Sequence, residues 1–271
     1  MSAWATPRGV LQAGERVLLI DPKERRYLVR LQHGGRFQTH SGIIEHDEVI
    51  GGPAGGEIVA HRGEGEGRRF LVFRPTLSDL VVKMPRGAQV IYPKDLGAIL
   101  LAADLFPGAR VLEAGVGSGA LSMAALRAGC EVTGYEIRDD FAERARANVA
   151  ALLGETAPYR VESRDIYEHI AEEGFDRVLL DLPEPWRVVP HAEVALVPGG
   201  ILLAYLPTIN QTAELRAALD RSCFAAAETV EVLQRSWHVE GRSVRPDHRM
   251  VAHTGFLTSA RLVRRSARSP Q

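Results

Sequence analysis

Cysteine is nearly absent from this 271-residue chain. Cys130 and Cys223 stand far apart, too few and too distant for a disulfide framework or a zinc site. The 9 histidines show no HExxH-type spacing, so no metal site is expected. Lysine is scarce as well: it occurs only at positions 23, 83 and 94, and arginine carries almost all the positive charge. We read this first as base-composition bias and second as use of guanidinium chemistry. A charge excess of either sign is missing. The 33 Lys+Arg and 34 Asp+Glu leave a net charge of −1, which excludes a globally basic nucleic-acid binder but not a local patch. Long apolar runs are missing too. Those around 98–106 and 194–206 fall short of the roughly 18–20 residues a membrane helix needs. The opening MSAWATPRGV lacks the apolar stretch of a secretory signal, so a reducing, cytoplasmic setting and no membrane partner are expected. No repeat or low-complexity segment interrupts the chain. At 45% hydrophobic and 25% charged residues it is an ordinary globular sequence, long enough for one large or two unequal domains.

Residues 1–74 read as closely spaced strands with much glycine. Arg16–Ile20 and Tyr27–Leu31 flank the turn signal Asp21-Pro22-Lys23, and Arg69–Arg74 is the last strand. A small β-barrel or β-rich cap is expected, serving either RNA binding or assembly. Thr76–Val82 and Pro93–Leu105 read as helices, and the domain boundary is expected near residue 75. From 109 onward, strands at 110–114, 131–136, 159–163, 176–181 and 200–206 alternate with helices at about 119–128, 138–153, 187–196 and 208–221. That order predicts an α/β domain over 75–271 with a parallel sheet covered on both faces. Val230–Val239 and Thr254–Val263 are two strand-like stretches with only an arginine-rich connection between them, which predicts a closing antiparallel pair.

The sharpest local pattern is Val111-Leu-Glu-Ala-Gly-Val-Gly-Ser-Gly-Ala-Leu121, an apolar strand entering a glycine turn at Gly115, Gly117 and Gly119 ahead of a helix. Such a turn lets a ligand approach the backbone, and the helix start favours an anion or carboxylate. Glu136, at the end of the next strand, is placed to accept both hydroxyls of a ribose. NAD, FAD and S-adenosylmethionine all carry that ribose. Glu113 two residues before Gly115, Asp165 after the third strand and the closing strand pair favour S-adenosylmethionine. The fourth strand leads into Asp181-Leu-Pro-Glu-Pro-Trp186, putting a carboxylate where ligands bind in open α/β sheets. Trp186 serves either core packing or base stacking.

Taken together these runs resemble the tRNA (adenine-58-N1)-methyltransferase family. Asp181-Leu-Pro-Glu-Pro-Trp186 matches its D-L-x-x-P-W signature. Met84-Pro-Arg-Gly-Ala-Gln-Val-Ile-Tyr-Pro-Lys-Asp95 resembles its linker, Leu112–Leu121 and Gly134-Tyr-Glu136 its cofactor loop, and Leu203-Ala-Tyr-Leu-Pro207 and Ala252-His-Thr-Gly-Phe256 its late strands. The resemblance implies a class I, Rossmann-like, S-adenosylmethionine-dependent methyltransferase acting on tRNA, homotetrameric in bacteria and archaea. It implies that Ser118, Gly119, Ala120 and Leu121 line the cofactor, Glu136 holds its ribose, and Asp165 and Ile166 flank its adenine. Phe141 stands at a further contact position. Asp181 and Tyr92 lie at the reacting centre, with Gln89 and Tyr205 beside it. Residues 241–271 carry arginines 242, 245, 249, 261, 264, 265 and 268 against Asp247, a net +6 that suits phosphate contact, and Lys83, Arg86 and Lys94 are expected to add charge around the Tyr92 loop. The competing readings are a nicotinamide-dependent oxidoreductase on the same loop and a non-catalytic RNA-binding subunit.

Overall fold

The computed structural model describes residues 8–63, 65–84, 87, 89–154 and 157–264. The chain divides into two units, one ending at Met84 and the other taking residues 85–271.

The first unit contains β1 (Arg16–Ile20), β2 (Arg26–Arg30), β3 (Arg36–Thr39), β4 (Gly42–Glu45), the short α1 (His46–Val49), β5 (Gly56–Arg62), β6 (Gly65–Phe73) and α2 (Leu77–Lys83). The turn between β1 and β2 is made by Asp21, whose carboxylate accepts the backbone N–H groups of Lys23 and Arg25 at 2.8 and 2.9 Å. All pairings are antiparallel and the order is β2-β1-β6-β5-β4-β3. The sheet curls upon itself. Val29 of β2 and Ile44 of β4 share one core with Val17, Leu19 and Phe70, and the rings of Tyr27 and Phe37, from the two edge strands, lie 5.4 Å apart. The result is barrel-like, without a ladder between β2 and β3 among the described residues. Thr76 caps α2 in a reciprocal box with Asp79, and Asp79 also pairs with Arg26 of β2 at 3.2 Å. That link joins α2 to the strands, and the first unit runs on through Met84, past the boundary expected near residue 75.

The second unit begins with α3 (Pro93–Ala102), started by Pro93 at its first turn. Then follow β7 (Arg110–Ala114), α4 (Ala120–Arg127), β8 (Glu131–Tyr135), α5 (Asp139–Leu153), β9 (Tyr159–Glu162), β10 (Phe175–Leu180), a 3-10 turn at Pro185–Arg187, α6 (Val189–Ala195), β11 (Leu196–Leu206), α7 (Ile209–Asp220), β12 (Phe224–Glu231), β13 (Trp237–Glu240), β14 (Ser243–Pro246) and β15 (Phe256–Leu262). Seven strands form one sheet in the order β12-β15-β11-β10-β7-β8-β9. The five from β11 to β9 run parallel, and β15 is antiparallel to both neighbours. Val111, Leu112, Val178, Leu179, Leu202 and Leu203 are buried, as strands covered on both faces require. This is the Rossmann-like class I methyltransferase architecture. No helix among the described residues is long and apolar enough to cross a membrane.

Two features differ from expectation at the end of the chain. The strand beside β15 is Phe224–Glu231, not Val230–Val239. The arginine-rich connection contains a separate hairpin, β13 with β14, turning at Gly241.

Candidate active site

The strand order reverses between β7 and β10, so the loops that leave their carboxyl ends border one crevice. The approach is close. Gly115 has φ +79° and a Cβ there would collide with the carbonyl oxygen of Asp181, so glycine is required on both counts. Two side chains shape the loop. The Glu136 carboxylate accepts the N–H of Gly117 at 3.1 Å and that of Arg138 at 3.0 Å. The Asn148 amide on α5 donates to the carbonyl of Ser118 at 3.0 Å. Gly119, with φ +81°, caps α4 and supplies no side-chain acceptor to the first turn. The Ser118 hydroxyl is buried and has no hydrogen-bond partner among the described residues. Glu113 takes the backbone N–H of Ser122, so the first turn of α4 is left with the amides of Ala120 and Leu121 beside the unpartnered Ser118 hydroxyl.

Glu113, Gly115, Gly117, Ser118, Ala120 and Leu121 line this crevice together with Gln89 and Asp181. Glu113 is 1% exposed. Ser122 Oγ donates to one of its oxygens at 2.6 Å, and the Tyr159 hydroxyl lies 3.1 Å from the same Oγ. Burial, reinforced by the nearby carboxylates of Asp181 and Glu136, pushes the Glu113 acid up to about 8, which favours its neutral form at pH 7. Asp181 keeps some exposure on the crevice side while protein surrounds it elsewhere; burial pushes its carboxyl up to about 7. Among the described residues no group donates a hydrogen bond to the Asp181 carboxylate.

Asp181 and Gln89 also line a neighbouring cavity of about 400 Å³, with Tyr92, Tyr205 and, from the far end of the chain, His253 and Thr254. Tyr205 packs so closely on Gly255 that a Cβ there would clash with its ring. Burial pushes the Tyr205 phenol up to about 12. Lys94, expected to add surface charge, is instead buried. Its ammonium donates to Asp95 at 2.8 Å and to the Val232 carbonyl and Thr254 hydroxyl at 2.6 Å each. A buried cation requires such partners, and pairing with Asp95 cancels its charge.

The structure brings together the expected loop residues, Asp181, Tyr92, Gln89 and Tyr205; four other expected residues are held by contacts of their own. Phe141 lies beneath the guanidiniums of Arg138 and Arg144, at 3.9 and 5.6 Å. Asp165 accepts the N–H of Tyr167 at 2.8 Å, and the Ile166 side chain is buried in the main core. Trp186 packs against that core. Arg242, Arg245, Arg249, Arg261 and Arg264 are exposed and have no ion-pair partner among the described residues. Arg86, Arg265 and Arg268 lie outside the described residues. Pro207, Val251, His253 and Thr254 were not expected in the cavity wall. The run Ala252–Phe256 marks their neighbourhood, yet no local pattern announces a contact with α3, some 160 residues away in the chain.

Comparison with known proteins agrees with this arrangement. The family profile of the tRNA methyltransferase complex GCD14 subunit matches residues 70–245, and a TrmI-like N-terminal profile matches 9–59. The tRNA (adenine(58)-N(1))-methyltransferase TrmI of Thermus thermophilus is 39% identical over 249 residues, covering 90% of this chain and 96% of that protein. Among solved structures, tRNA (m1A58) methyltransferase TrmI from Aquifex aeolicus superposes with a TM-score of 0.82 at 32% identity, covering 94% of this chain and 100% of that one. An S-adenosylmethionine-dependent O-methyltransferase of Thermotoga maritima gives 0.88 at 34% identity, covering 95% and 96%. The chain belongs to the tRNA (adenine-58-N1)-methyltransferase family.

Proposed function

We propose that the glycine-loop crevice holds S-adenosylmethionine and that the cavity beyond Asp181 receives adenine-58 of tRNA, whose N1 takes the methyl group. The observation that carries this reading is the position of Asp181. It borders both compartments with a carboxylate that has no donor among the described residues. The crevice fits the cofactor: the Ala120 and Leu121 amides at the start of α4 and the Ser118 hydroxyl are available to acceptors, and Glu136, fixed by two backbone N–H groups, keeps lone pairs for a ribose. When bound, the cofactor supplies a methyl group already activated by its sulfonium charge.

Adenine N1 carries a free lone pair, so the protein need not generate a nucleophile; its task is alignment. Asp181, once ionised, accepts a hydrogen bond from the exocyclic amine and offsets the positive charge that develops on the ring. Tyr92 and Tyr205 offer aromatic surface to a base turned out of its stack, a step costing a few kcal/mol. Gln89 bridges the two compartments as a polar contact. Asp165 and Ile166 flank the cofactor adenine through backbone groups, since the Ile166 side chain is committed to the core. Phe141 contributes by packing beneath its two arginines.

The arginines of 242–264 supply phosphate contacts on a chain that is otherwise acidic. On the β13–β14 hairpin, Trp237 pairs with Pro246 and Val239 with Val244, so one face is apolar, and Trp237, Val239 and Val244 are exposed. That uncovered face supports a homo-oligomer, in keeping with a tetramer, whose subunit count sedimentation would give. The experiment for the site is Asp181→Ala. Single-turnover methyl transfer is expected to slow by about 2–4 kcal/mol in the barrier while cofactor affinity changes far less. A rate within about threefold of the unmodified enzyme, under 1 kcal/mol, would remove Asp181 from the reacting centre.

A further inference from the structure

Residues 232–255 leave the main sheet after β12, form the β13–β14 hairpin and return into β15. The neck of this excursion is fastened from both sides. Lys94 on α3 holds the Val232 carbonyl and the Thr254 hydroxyl, and Thr254 in turn donates to Asp95 at 2.7 Å. On the other side, His253 Nδ1 lies 2.7 Å from the Glu231 carboxylate and its Nε2 lies 2.8 Å from the carbonyl oxygen of Pro207. The same His253 lines the cavity that Asp181 borders.

Both acceptors dictate the state of the ring. A carbonyl oxygen cannot donate, and an ionised carboxylate cannot either, so each ring nitrogen must carry a proton. Hydrogen bonding to Glu231 and to the Pro207 carbonyl holds the imidazole above its ordinary value, against opposition from desolvation and, less, from the Lys94 ammonium. Across the cavity stand Asp181, Tyr92 and Tyr205. With both N–H groups engaged, the ring has neither a donor nor a base left for a ligand. It can offer only its carbon surface and its positive charge, with Phe256 tilted against it at 5.1 Å between centroids. A cation with a planar face complements a neutral, electron-rich purine ring.

We propose that His253 is a base-binding residue of this site, stacking the acceptor adenine against a cation that Glu231 and the Pro207 carbonyl keep in place. The proposal rests on the cavity being the acceptor site. Deprotonation of His253 costs one of its two hydrogen bonds and the charge, so acceptor binding weakens as pH rises through its titration. Glu231→Gln removes the carboxylate that holds the proton, so the weakening begins at lower pH.

The test compares kcat/KM for tRNA at saturating S-adenosylmethionine from pH 6 to 9 for the unmodified enzyme, His253→Ala and Glu231→Gln, with calorimetric cofactor titrations. His253→Ala is expected to raise KM for tRNA about tenfold, within the range of a partly desolvated cation–π contact, with cofactor affinity kept. Glu231→Gln is expected to match the unmodified enzyme near pH 6 and fall behind as pH rises. Because Asp181 is common to both enzymes, its titration cancels in their ratio. A ratio constant across pH, or an unchanged KM in His253→Ala, would overturn the proposal. If His253→Ala melts or loses the cofactor, the pH dependence of the Glu231→Gln ratio decides. An unmodified enzyme that binds the cofactor but methylates no tRNA would instead refute the acceptor-site reading itself.

Discussion

Replacing Glu113 by Gln should stabilise the cofactor-free protein, and by an amount that grows with pH. In the unfolded chain this carboxyl ionises at 4.5, whereas burial beside Asp181 and Glu136 raises it to about 8 in the folded protein. Between those values unfolding releases a proton, so raising the pH favours the unfolded state. Stability tied to the neutral acid is complete below 4.5 and lost progressively up to about 8. At about 1.36 kcal/mol per pH unit, a group shifted from 4.5 to about 8 costs about 3 kcal/mol at pH 7 and about 5 kcal/mol above pH 8. Gln removes that linkage while keeping an oxygen to accept from Ser122, which sits 2.6 Å away. Urea unfolding of both proteins from pH 5 to 9 reads the difference. The variant should gain on the unmodified protein by about 1.4 kcal/mol per pH unit up to about pH 8 and level off above it. A difference independent of pH would refute the assignment of Glu113 as a buried neutral acid.

Glu136→Ala should weaken S-adenosylmethionine binding by about 1.5–3 kcal/mol, because it removes charged hydrogen bonds both to the ribose and to the loop amides; calorimetry with unchanged affinity would refute the role. Neutralising Arg249, Arg261 and Arg264 together should weaken tRNA binding and lower its salt slope by roughly one unit for each phosphate left without its arginine, leaving cofactor affinity intact. Chromatographic size must accompany that titration, and unchanged tRNA affinity at unchanged size would make the patch a solvated surface.

The central strands are legible in the sequence because apolar runs such as Val111–Ala114 and Phe175–Leu180 are bounded by glycine or charge and alternate with helical stretches. The glycine loop and Asp181 are legible for a similar reason: their chemistry is local, set by a strand end and the turn after it. Phe224–Glu231 is hidden because it opens with Ala225, Ala226 and Ala227, poor strand formers, and contains a register shift with Ala226 at φ +52°. The strand β11 begins at Leu196, ahead of Pro198, Gly199 and Gly200, which read as a turn. Lys94 reads as surface charge because nothing beside it in sequence reveals the Val232 carbonyl and Thr254 hydroxyl that bury it. The cavity wall is only half legible for the same reason: its Tyr92 side is local to the linker, while its His253 side arrives through tertiary contact.

Methyl transfer to N1 of one adenine in tRNA, with Asp181 at the reacting centre, can be read out at the level of the product. Unmodified tRNA is incubated with the protein and isotopically labelled S-adenosylmethionine, digested, and mapped by mass spectrometry of its nucleosides and fragments. Labelled 1-methyladenosine is expected in the fragment containing position 58, and is expected to form at least about 30-fold more slowly with Asp181→Ala. Label on a ribose oxygen, on another base, or no label at all with cofactor demonstrably bound would contradict both the acceptor and the role of Asp181.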